Sequence, residues 1–378
     1  MVRLGDVGKV VTGNTPKTAD SQNYASNDIC FVKPSDIADG IVTYLNDSEF
    51  YISEYARAKA RILPPKSVLV TCIGIIGKVA INDMECAFNQ QINAIIPDNS
   101  KCLTEYLAYA IQNSQAKLQD IANAPVVPII NKTQFSDIEI RLPPLSEQKK
   151  CVERLKSVSK LISLRKEQLA KLDMLVKSRF VELFGDPQTN PNGYALVNLS
   201  DVATYFNGLT YKPENVAEIG TIVLRSSNIQ NSQLDFADTV RVDCTVKEKL
   251  MVQENDILMC SRNGSARLVG KVALIKGIQE PMTFGAFMMI IRSRYHSYLM
   301  TYFQMDAFRQ QIKTGATTTI NQITGRMLDE VTIPLPPMEL VEQFAAFVEQ
   351  TDKSKLAIQR SLDELETLKK ALMQKYFG

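Results

Sequence analysis

Asp137-Ile138-Glu139-Ile140-Arg141-Leu142-Pro143-Pro144-Leu145-Ser146-Glu147-Gln148 has a counterpart late in the chain, Glu330-Val331-Thr332-Ile333-Pro334-Leu335-Pro336-Pro337-Met338-Glu339-Leu340-Val341-Glu342-Gln343. Aligning Leu142 with Leu335 gives an offset of 193 residues, and other landmarks keep to it. Gly77-Lys78-Val79-Ala80 recurs as Gly270-Lys271-Val272-Ala273, Phe184-Gly185 as Phe377-Gly378, and Leu4 pairs with Leu199 at 195. The chain is a tandem duplication, and repetition of this kind fixes architecture more firmly than local propensity does. Each copy reads as a mixed segment followed by a long helical one. The expected segments are a first mixed domain at 1–145, a helix at 146–185, a second mixed domain at 186–338 whose residues 186–197 form a linker, and a helix at 339–378. Two copies imply a pseudo-two-fold.

The helical segments are bounded by chemistry. Pro143-Pro144 and Pro336-Pro337 cannot lie inside a helix, and no proline interrupts the residues that follow. Ser146 to Phe184 and Glu339 to Tyr376 are 39 and 38 residues, each roughly 57 to 59 Å long at about 1.5 Å per residue. Apolar positions recur at Val152, Leu155, Ile162, Leu169, Leu172, Val176 and Leu183, and at Ile358, Leu362, Leu365, Leu372 and Tyr376. Spacings of three, four and seven suit a two-helix seam. Antiparallel pairing would hold the two domains at opposite ends; the alternative is that each helix only completes its own domain's core. The mixed segments show short apolar runs such as Ser67-Val68-Leu69-Val70-Thr71 and Asp256-Ile257-Leu258-Met259. Helical stretches stand near Thr104 to Ile111 and Tyr298 to Phe303. The fold class expected is α+β: two tandem mixed domains, each with a curved and mostly antiparallel sheet, separated by two long antiparallel coiled-coil helices.

Composition narrows the class further. The 378 residues are 45% apolar and 22% charged, as in an ordinary globular protein with two cores. No apolar run reaches the roughly 20 residues of a membrane span, and the opening MVRLGDVGKVV lacks the features of a signal peptide. A cytoplasmic location is expected. The seven cysteines form no Cys-x-x-Cys pair and read as mostly buried thiols. With a net charge of only +2, bulk electrostatics does not announce a nucleic-acid binder. Local charge is more informative. Between Glu54 and Asp83 there is no acid but Arg57, Lys59, Arg61, Lys66 and Lys78; between Asp256 and Glu280 there is none but Arg262, Arg267, Lys271 and Lys276. The two stretches overlap under the repeat and mark either a solvated basic face or a phosphate-facing edge in each domain.

In their order along the chain, several motifs resemble the specificity subunit of type I restriction-modification systems. They are Gly13-Asn14-Thr15-Pro16-Lys17 after Leu4-Gly5-Asp6-Val7, then Phe31-Val32-Lys33-Pro34-Ser35-Asp36-Ile37, then Phe88-Asn89-Gln90-Gln91, then the Leu142 to Gln148 transition. The second copy departs from them, with Asn207-Gly208-Leu209-Thr210-Tyr211-Lys212, Arg225-Ser226-Ser227-Asn228-Ile229 and Thr283-Phe284-Gly285-Ala286-Phe287 at the matching places. The resemblance implies two target-recognition domains reading different half-sites of an asymmetric bipartite DNA target, with the helices as a ruler between them. It also implies partners: double-stranded DNA, two methyltransferase subunits and two restriction subunits that translocate with ATP and cut. S-adenosylmethionine, ATP and Mg would then belong to the partners and no cofactor to this chain.

Base reading needs bidentate groups, Arg for guanine and Asn or Gln for adenine. The candidates in the first copy are Lys17, Lys33, Ser35, Arg57, Lys59, Arg61, Lys78, Asn89, Gln90 and Gln91. In the second they are Tyr211, Lys212, Arg225, Asn228, Arg262, Asn263, Arg267 and Lys271, with Arg262-Asn263-Gly264-Ser265 preferred as a compact loop. Each could instead be a turn cap or a surface polar group. Catalytic signatures are missing from the sequence. Asn190-Pro191-Asn192-Gly193-Tyr194 lacks the second proline of an adenine-methylating tetrapeptide, and Gly74-Ile75-Ile76-Gly77-Lys78-Val79 lacks the spacing and the Ser or Thr of a phosphate loop. The single histidine, His296, reads as an incidental surface residue. A protein-binding adaptor and a self-contained methyltransferase of degenerate sequence remain as alternatives. Val158 and Ile358 are expected to be exposed and to receive partner subunits.

Overall fold

The computed structural model describes residues 1–122, 127–312 and 321–378. Packing groups them into two compact units, residues 1–166 with 360–378 and residues 167–359. Each unit therefore takes part of both long helices, which a reading in chain order does not suggest.

The first unit contains β1 (Val2–Arg3), α1 (Leu4–Val7), β2 (Gly8–Thr12), β3 (Ile29–Val32), β4 (Val42–Leu45), β5 (Tyr51–Ile52), β6 (Ile62–Leu63), β7 (Val68–Thr71), β8 (Val79–Asn82), β9 (Cys86–Phe88) and β10 (Ile92–Pro97), then α2 (Thr104–Asn113), α3 (Gln115–Ile121), α4 (Lys132–Ser136) and β11 (Glu139–Ile140). Instead of one curved sheet there are two larger ones, in the orders β2-β10-β7-β8-β4 and β5-β3-β9-β6, with β1 and β11 as a separate pair. Most neighbours are antiparallel, but β4 with β8 and β3 with β9 are parallel. The strand sequences require this layering. Val68 and Val70 on β7 face a core shared with Tyr106 and Leu107 of α2. Leu69 between them faces the other way, into a core with Val32, Cys86 and Phe88 of the second sheet. An uninterrupted apolar strand needs cover on both faces, and this strand has it.

The helix that leaves this unit, α5 (Leu145–Phe184), begins directly after Pro143-Pro144. Its first turn is fixed by the fully buried Gln148. The Gln148 carboxamide accepts from the Leu103 amide at 2.9 Å and donates to the carbonyls of Lys101 at 2.9 Å and Pro143 at 2.8 Å. Residues 360–377 of the second long helix run antiparallel to it: Arg154 Nη1 donates to Tyr376 Oη at 2.9 Å, and Lys166 pairs with Glu366 at 3.0 Å. Leu372, Met373, Tyr376 and Phe377 complete the same core as Val152 and Leu155.

The second unit contains β12 (Leu196–Asn198), α6 (Leu199–Val202), β13 (Thr204–Asn207), β14 (Val216–Ala217), β15 (Thr221–Leu224), β16 (Ile229–Gln230), β17 (Gln233–Leu234), β18 (Val240–Val242), β19 (Ile257–Cys260), β20 (Val272–Leu274), β21 (Met282–Phe284) and β22 (Met288–Arg292). After these come α7 (His296–Tyr302), α8 (Asp306–Ile312), α9 (Gly325–Asp329), β23 (Thr332–Pro334) and α10 (Met338–Phe377). Its sheets repeat the first unit's plan, β13-β22-β19-β20 against β14-β18-β15-β21, with β15 and β21 again parallel. Met289 and Ile291 face the core beside the helices, while Met288 and Ile290 face the core between the sheets. Here too the long helices run antiparallel. Asp173 pairs with Lys355 at 2.6 Å, and the Phe180 ring meets Phe344 at 5.6 Å. At the end of α5, Gly185 takes φ +76° and its amide donates to the Val181 carbonyl at 2.8 Å, a left-handed cap that glycine adopts without cost.

Both long helices span 40 residues, so their registers match at a constant offset of 193. That alignment puts Val341, not Gln343, at the place of Gln148: Val341 is buried and Gln343 is exposed. Two other expectations need correction. Val158 is only 7% exposed and belongs to a packed face, so it is closed to partners, and Ile358 is half-buried. His296 is partly buried at the start of α7, and desolvation pushes its imidazole below the ordinary value near 6.5. The cysteines are free, and five of the seven are buried.

Candidate nucleic-acid interface

The nominated residues of the first domain stand on loops beyond the strands. After β2 the chain meets the segment following β9 so closely that a Cβ at Gly13 would lie 2.1 Å from the Asn89 carbonyl oxygen. Only glycine fits there. The next residue, Asn14, donates from its side chain to the Lys59 carbonyl at 2.7 Å and accepts from the Arg61 amide at 2.8 Å. Thr15 donates to Gln90 Oε1 at 2.6 Å. Buried Asn23 donates to the Lys17 carbonyl at 2.9 Å and accepts from Lys59 Nζ at 3.2 Å. The segments 13–17, 59–61 and 89–91 thus form one hydrogen-bonded neighbourhood.

A second cluster adjoins it. Beyond β3, the turn Lys33–Asp36 is closed by the Asp36 carboxylate, which accepts the Lys33 amide at 2.7 Å. The Lys33 ammonium lies 3.1 Å from the centre of the Phe50 ring, and Lys78 Nζ donates to the Pro34 carbonyl at 3.4 Å. Ser35 is exposed on the turn. Asn89 joins the clusters by donating its amide to Val32 at 3.2 Å, but its own side chain is buried and donates to Gln91 at 2.8 Å. In this geometry Asn89 shapes the turn and leaves Gln90 as the exposed amide.

Charge in space differs from charge along the chain. Arg57 bridges Glu54 and Glu85, Lys59 binds Asp20 at 2.9 Å, and Lys66 pairs with Asp83. The hydrogen bond to Lys59 holds the Asp20 carboxyl below its usual range and lifts the ammonium above its own. Much of the first basic stretch is therefore neutralised by its flanking and distant acids. Arg61 escapes: its guanidinium donates to the Thr12 carbonyl and meets no carboxylate among the described residues. With Lys9 and Lys132 it borders a groove of about 480 Å³. Neither lysine has an ion pair among the described residues, nor does exposed Lys17. Sequence reading overlooked Lys9 and Lys132 because each stands alone in a segment of mixed charge.

The second domain repeats the frame with different chemistry. Gly208 meets the Gly285 carbonyl as Gly13 meets Asn89, and a Cβ there would again lie 2.1 Å from the oxygen. The turn Arg225–Asn228 is closed by the buried Asn228, which accepts the Arg225 amide at 2.8 Å and donates to the carbonyls of Asp235 and Asp238. Arg225 itself binds Asp238 at 2.6 Å. Lys212 pairs with Glu214 at 3.4 Å, and Tyr211 beside it is partly buried. Arg262, Arg267 and Lys271 meet no carboxylate among the described residues.

Backbone bonds identify the equivalent positions. Cys72 donates to Gln91 at 2.7 Å and accepts from Ile130 at 2.9 Å; Ser261 donates to Phe287 at 3.0 Å and accepts from Ile323 at 2.7 Å. Ile73 bridges Ile129 just as Arg262 bridges Gln322. Both loops end on a left-handed glycine, Gly77 at φ +84° and Gly270 at φ +81°. Arg262 therefore occupies the place of Ile73, and Lys271 that of Lys78. Two neighbours of the Arg262-Asn263 pair were missed in the sequence: Phe287, whose ring centre is 5.8 Å from the Arg262 guanidinium carbon, and Asn321, whose carbonyl accepts the Asn263 amide at 3.4 Å. Phe287 carried the one usable signal, an aromatic in a glycine turn just before a strand.

The chain as a whole is similar to known proteins. A family model described as the type I restriction modification DNA specificity domain matches residues 1–174 and again 191–367. The chain is 22% identical over 410 residues to the EcoKI specificity subunit of Escherichia coli K12, covering 99% of this chain and 87% of that one. It is 22% identical over 404 residues to the MjaIX specificity subunit of Methanocaldococcus jannaschii, covering 99% and 91%. In fold it resembles a type I restriction-modification S subunit from M. genitalium, with a TM-score of 0.60, 13% identity, and coverage of 100% and 95%. A chain from a structure concerned with assembly and conformational transition of the type I system aligns at a TM-score of 0.58 and 19% identity, covering 99% and 96%.

Proposed function

The chain belongs to the type I restriction-modification DNA specificity family, and from that premise we propose that its two domains each read one half-site of an asymmetric bipartite DNA target. The observation that carries the proposal is the matched cluster of loops in each domain: one frame, held by the same glycine crossing and the same side-chain-closed turn, with different exposed groups on it. A shared frame with divergent donors is what two readers of different sequences need. Lys9, Arg61 and Lys132 supply positive charge for the phosphate backbone in the first domain, and Arg267 and Lys271 do so in the second.

In this proposal the chain contributes no catalytic residue and no cofactor. Two methyltransferase subunits bring S-adenosylmethionine, and two restriction subunits bring ATP and Mg. The long helices offer exposed apolar side chains for such partners, including Leu161 and Leu164 in the first unit and Met174 and Leu175 in the second. Their length sets the spacer between half-sites, so inserting one helical turn in both changes the spacer. None of the described helices is long and apolar enough to cross a membrane, and the proposed working place is the cytoplasm, where the DNA is.

The test is genome-wide mapping of methylated adenines in a host that holds the partner methyltransferase, with and without this chain. A bipartite motif that depends on the chain is expected, and exchanging residues 1–141 should alter one half-site alone. Unchanged methylation, together with no salt-sensitive DNA binding by the assembled complex, would overturn the proposal in favour of a protein-binding adaptor.

A further inference from the structure

Resting on the DNA-reading function above, we propose that Arg262 is a specificity-determining residue: its guanidinium reads a guanine in the half-site assigned to the second domain.

Three arginines of the same unit already hold a carboxylate: Arg225, Arg241 and Arg292 pair with Asp238, Glu280 and Asp256. Arg262 is exposed and meets no carboxylate among the described residues. Its backbone is nevertheless fixed. The Arg262 amide donates to the Phe287 carbonyl at 3.1 Å, and the residue bridges Gln322. Next to it, Asn263 accepts the Ser265 amide at 3.0 Å and reaches Ser226 Oγ of the neighbouring turn at 3.4 Å. A free guanidinium on a backbone pinned from both sides is pre-organised for a ligand and loses less entropy on binding than one on a loose loop.

Phosphate contact alone would not explain the chemistry of this position. Backbone contacts serve any target, so they give no reason for the two domains to differ at one matched place. They do differ. The equivalent of Arg262 is Ile73, followed by Gly74 and by Ile75, which is 57% exposed. The first domain therefore presents hydrocarbon where the second presents five N–H donors in a rigid fork. That fork matches the O6 and N7 acceptors of guanine in the major groove, whereas hydrocarbon matches no base acceptor. Phe287, 61% exposed and beside the guanidinium, limits the directions in which the fork can turn.

The experiment maps methylated sites for the assembled complex carrying the unaltered chain, Arg262→Ala and Arg262→Gln. The unaltered chain should give a second-domain half-site with an invariant guanine. Arg262→Ala should reduce discrimination at that one position by about tenfold or more, while the first-domain half-site is unchanged and reports that the complex is intact. Arg262→Gln should move the preference there towards adenine, because a carboxamide pairs with adenine N6 and N7. If Arg262→Ala abolishes methylation, competition binding to duplexes carrying each of the four bases at that position asks the same question. Unchanged base preference at every position, with or without a uniform loss of binding, would overturn the inference. Failure of the underlying function looks different: the unaltered chain would direct no bipartite methylation at all.

Discussion

Between Cys72 and Gly77 the first domain places Ile73, Gly74, Ile75 and Ile76; between Ser261 and Gly270 the second places Arg262, Asn263, Gly264, Ser265, Ala266, Arg267, Leu268 and Val269. Both loops leave equivalent strands, make the same backbone bonds at their start, and end on a left-handed glycine. The difference lies in what is carried between them: four residues in the first domain and eight in the second. The fixings are kept in both copies and the exposed groups between them are replaced.

The comparison breaks most visibly at the fixings. Gly13→Ala and Gly208→Ala each put a methyl carbon into a carbonyl oxygen of the crossing segment. Each should cost about 3 kcal/mol or more, the upper range for single substitutions. Denaturant unfolding of the assembled complex would show the loss, and methylation mapping should show each variant losing only its own half-site. Tolerance of alanine at one glycine but not at the other would mean the two frames are not the same device.

A smaller effect is expected where the domains solve one problem in two ways. Just before β19, Asp256 is almost fully buried and binds Arg292 through two bonds of 2.7 Å. Just before β7 the same place is Ser67, whose amide donates to the fully buried Asn82 at 2.8 Å, while Asn82 donates in turn to Pro64 and Met84. Asp256→Asn should destabilise the second domain by about 3 kcal/mol, because it leaves a partly buried guanidinium without its carboxylate. Asn82→Asp should be comparably harmful, since a carboxylate cannot donate to two carbonyls. Thermal unfolding followed separately for the two variants would reveal whether either domain accepts the other's solution.

Next in size is a difference in how phosphates are met. Lys9 and Lys132 border a groove of the first domain. Replacing both by alanine should weaken DNA binding alike for all targets and flatten the plot of log affinity against log salt by roughly 0.9 for each phosphate no longer neutralised. A changed half-site motif instead would make them base readers. Smallest is the pH response of His296. Burial favours its neutral form, so as pH falls through the ordinary value near 6.5 the unfolded chain takes up a proton before the folded one. Stability from this source is complete above that value and declines below it, until the depressed folded value is passed. His296→Gln should remove this small acid-side slope in melting temperature, and an unaltered slope would assign it elsewhere.

How much of this the sequence disclosed depends on the range of the interaction. The repeat, both long helices and their antiparallel seam follow from local pattern: a proline pair, an apolar stripe and a matched length. The division into two sheets does not, because an apolar strand such as Val68–Thr71 says that both faces are covered but not by what. Gln148 and Val341 show the same limit. Two Glu-Gln dipeptides invite alignment with each other, whereas the 193-residue offset pairs Gln148 with Val341, and only the fold shows that both of these are buried. In the candidate interface the acid-free stretches were visible, whereas Asp20 and Glu85, which neutralise much of the first one, lie outside it and join it only through the fold. The Arg262 loop was legible because its character is local. Its anchors Phe287 and Asn321 were not.

The turns Lys33–Asp36 and Arg225–Asn228 carry one further implication. Each is closed by the side chain of its last residue on the backbone of its first, in one case a carboxylate and in the other a carboxamide. Closure of this kind is indifferent to the identity of the two residues in between, Pro34-Ser35 and Ser226-Ser227, and to whether the closing group bears a charge. Such a turn can acquire a new vocabulary by drift at its tip while its grammar is kept by a single oxygen atom.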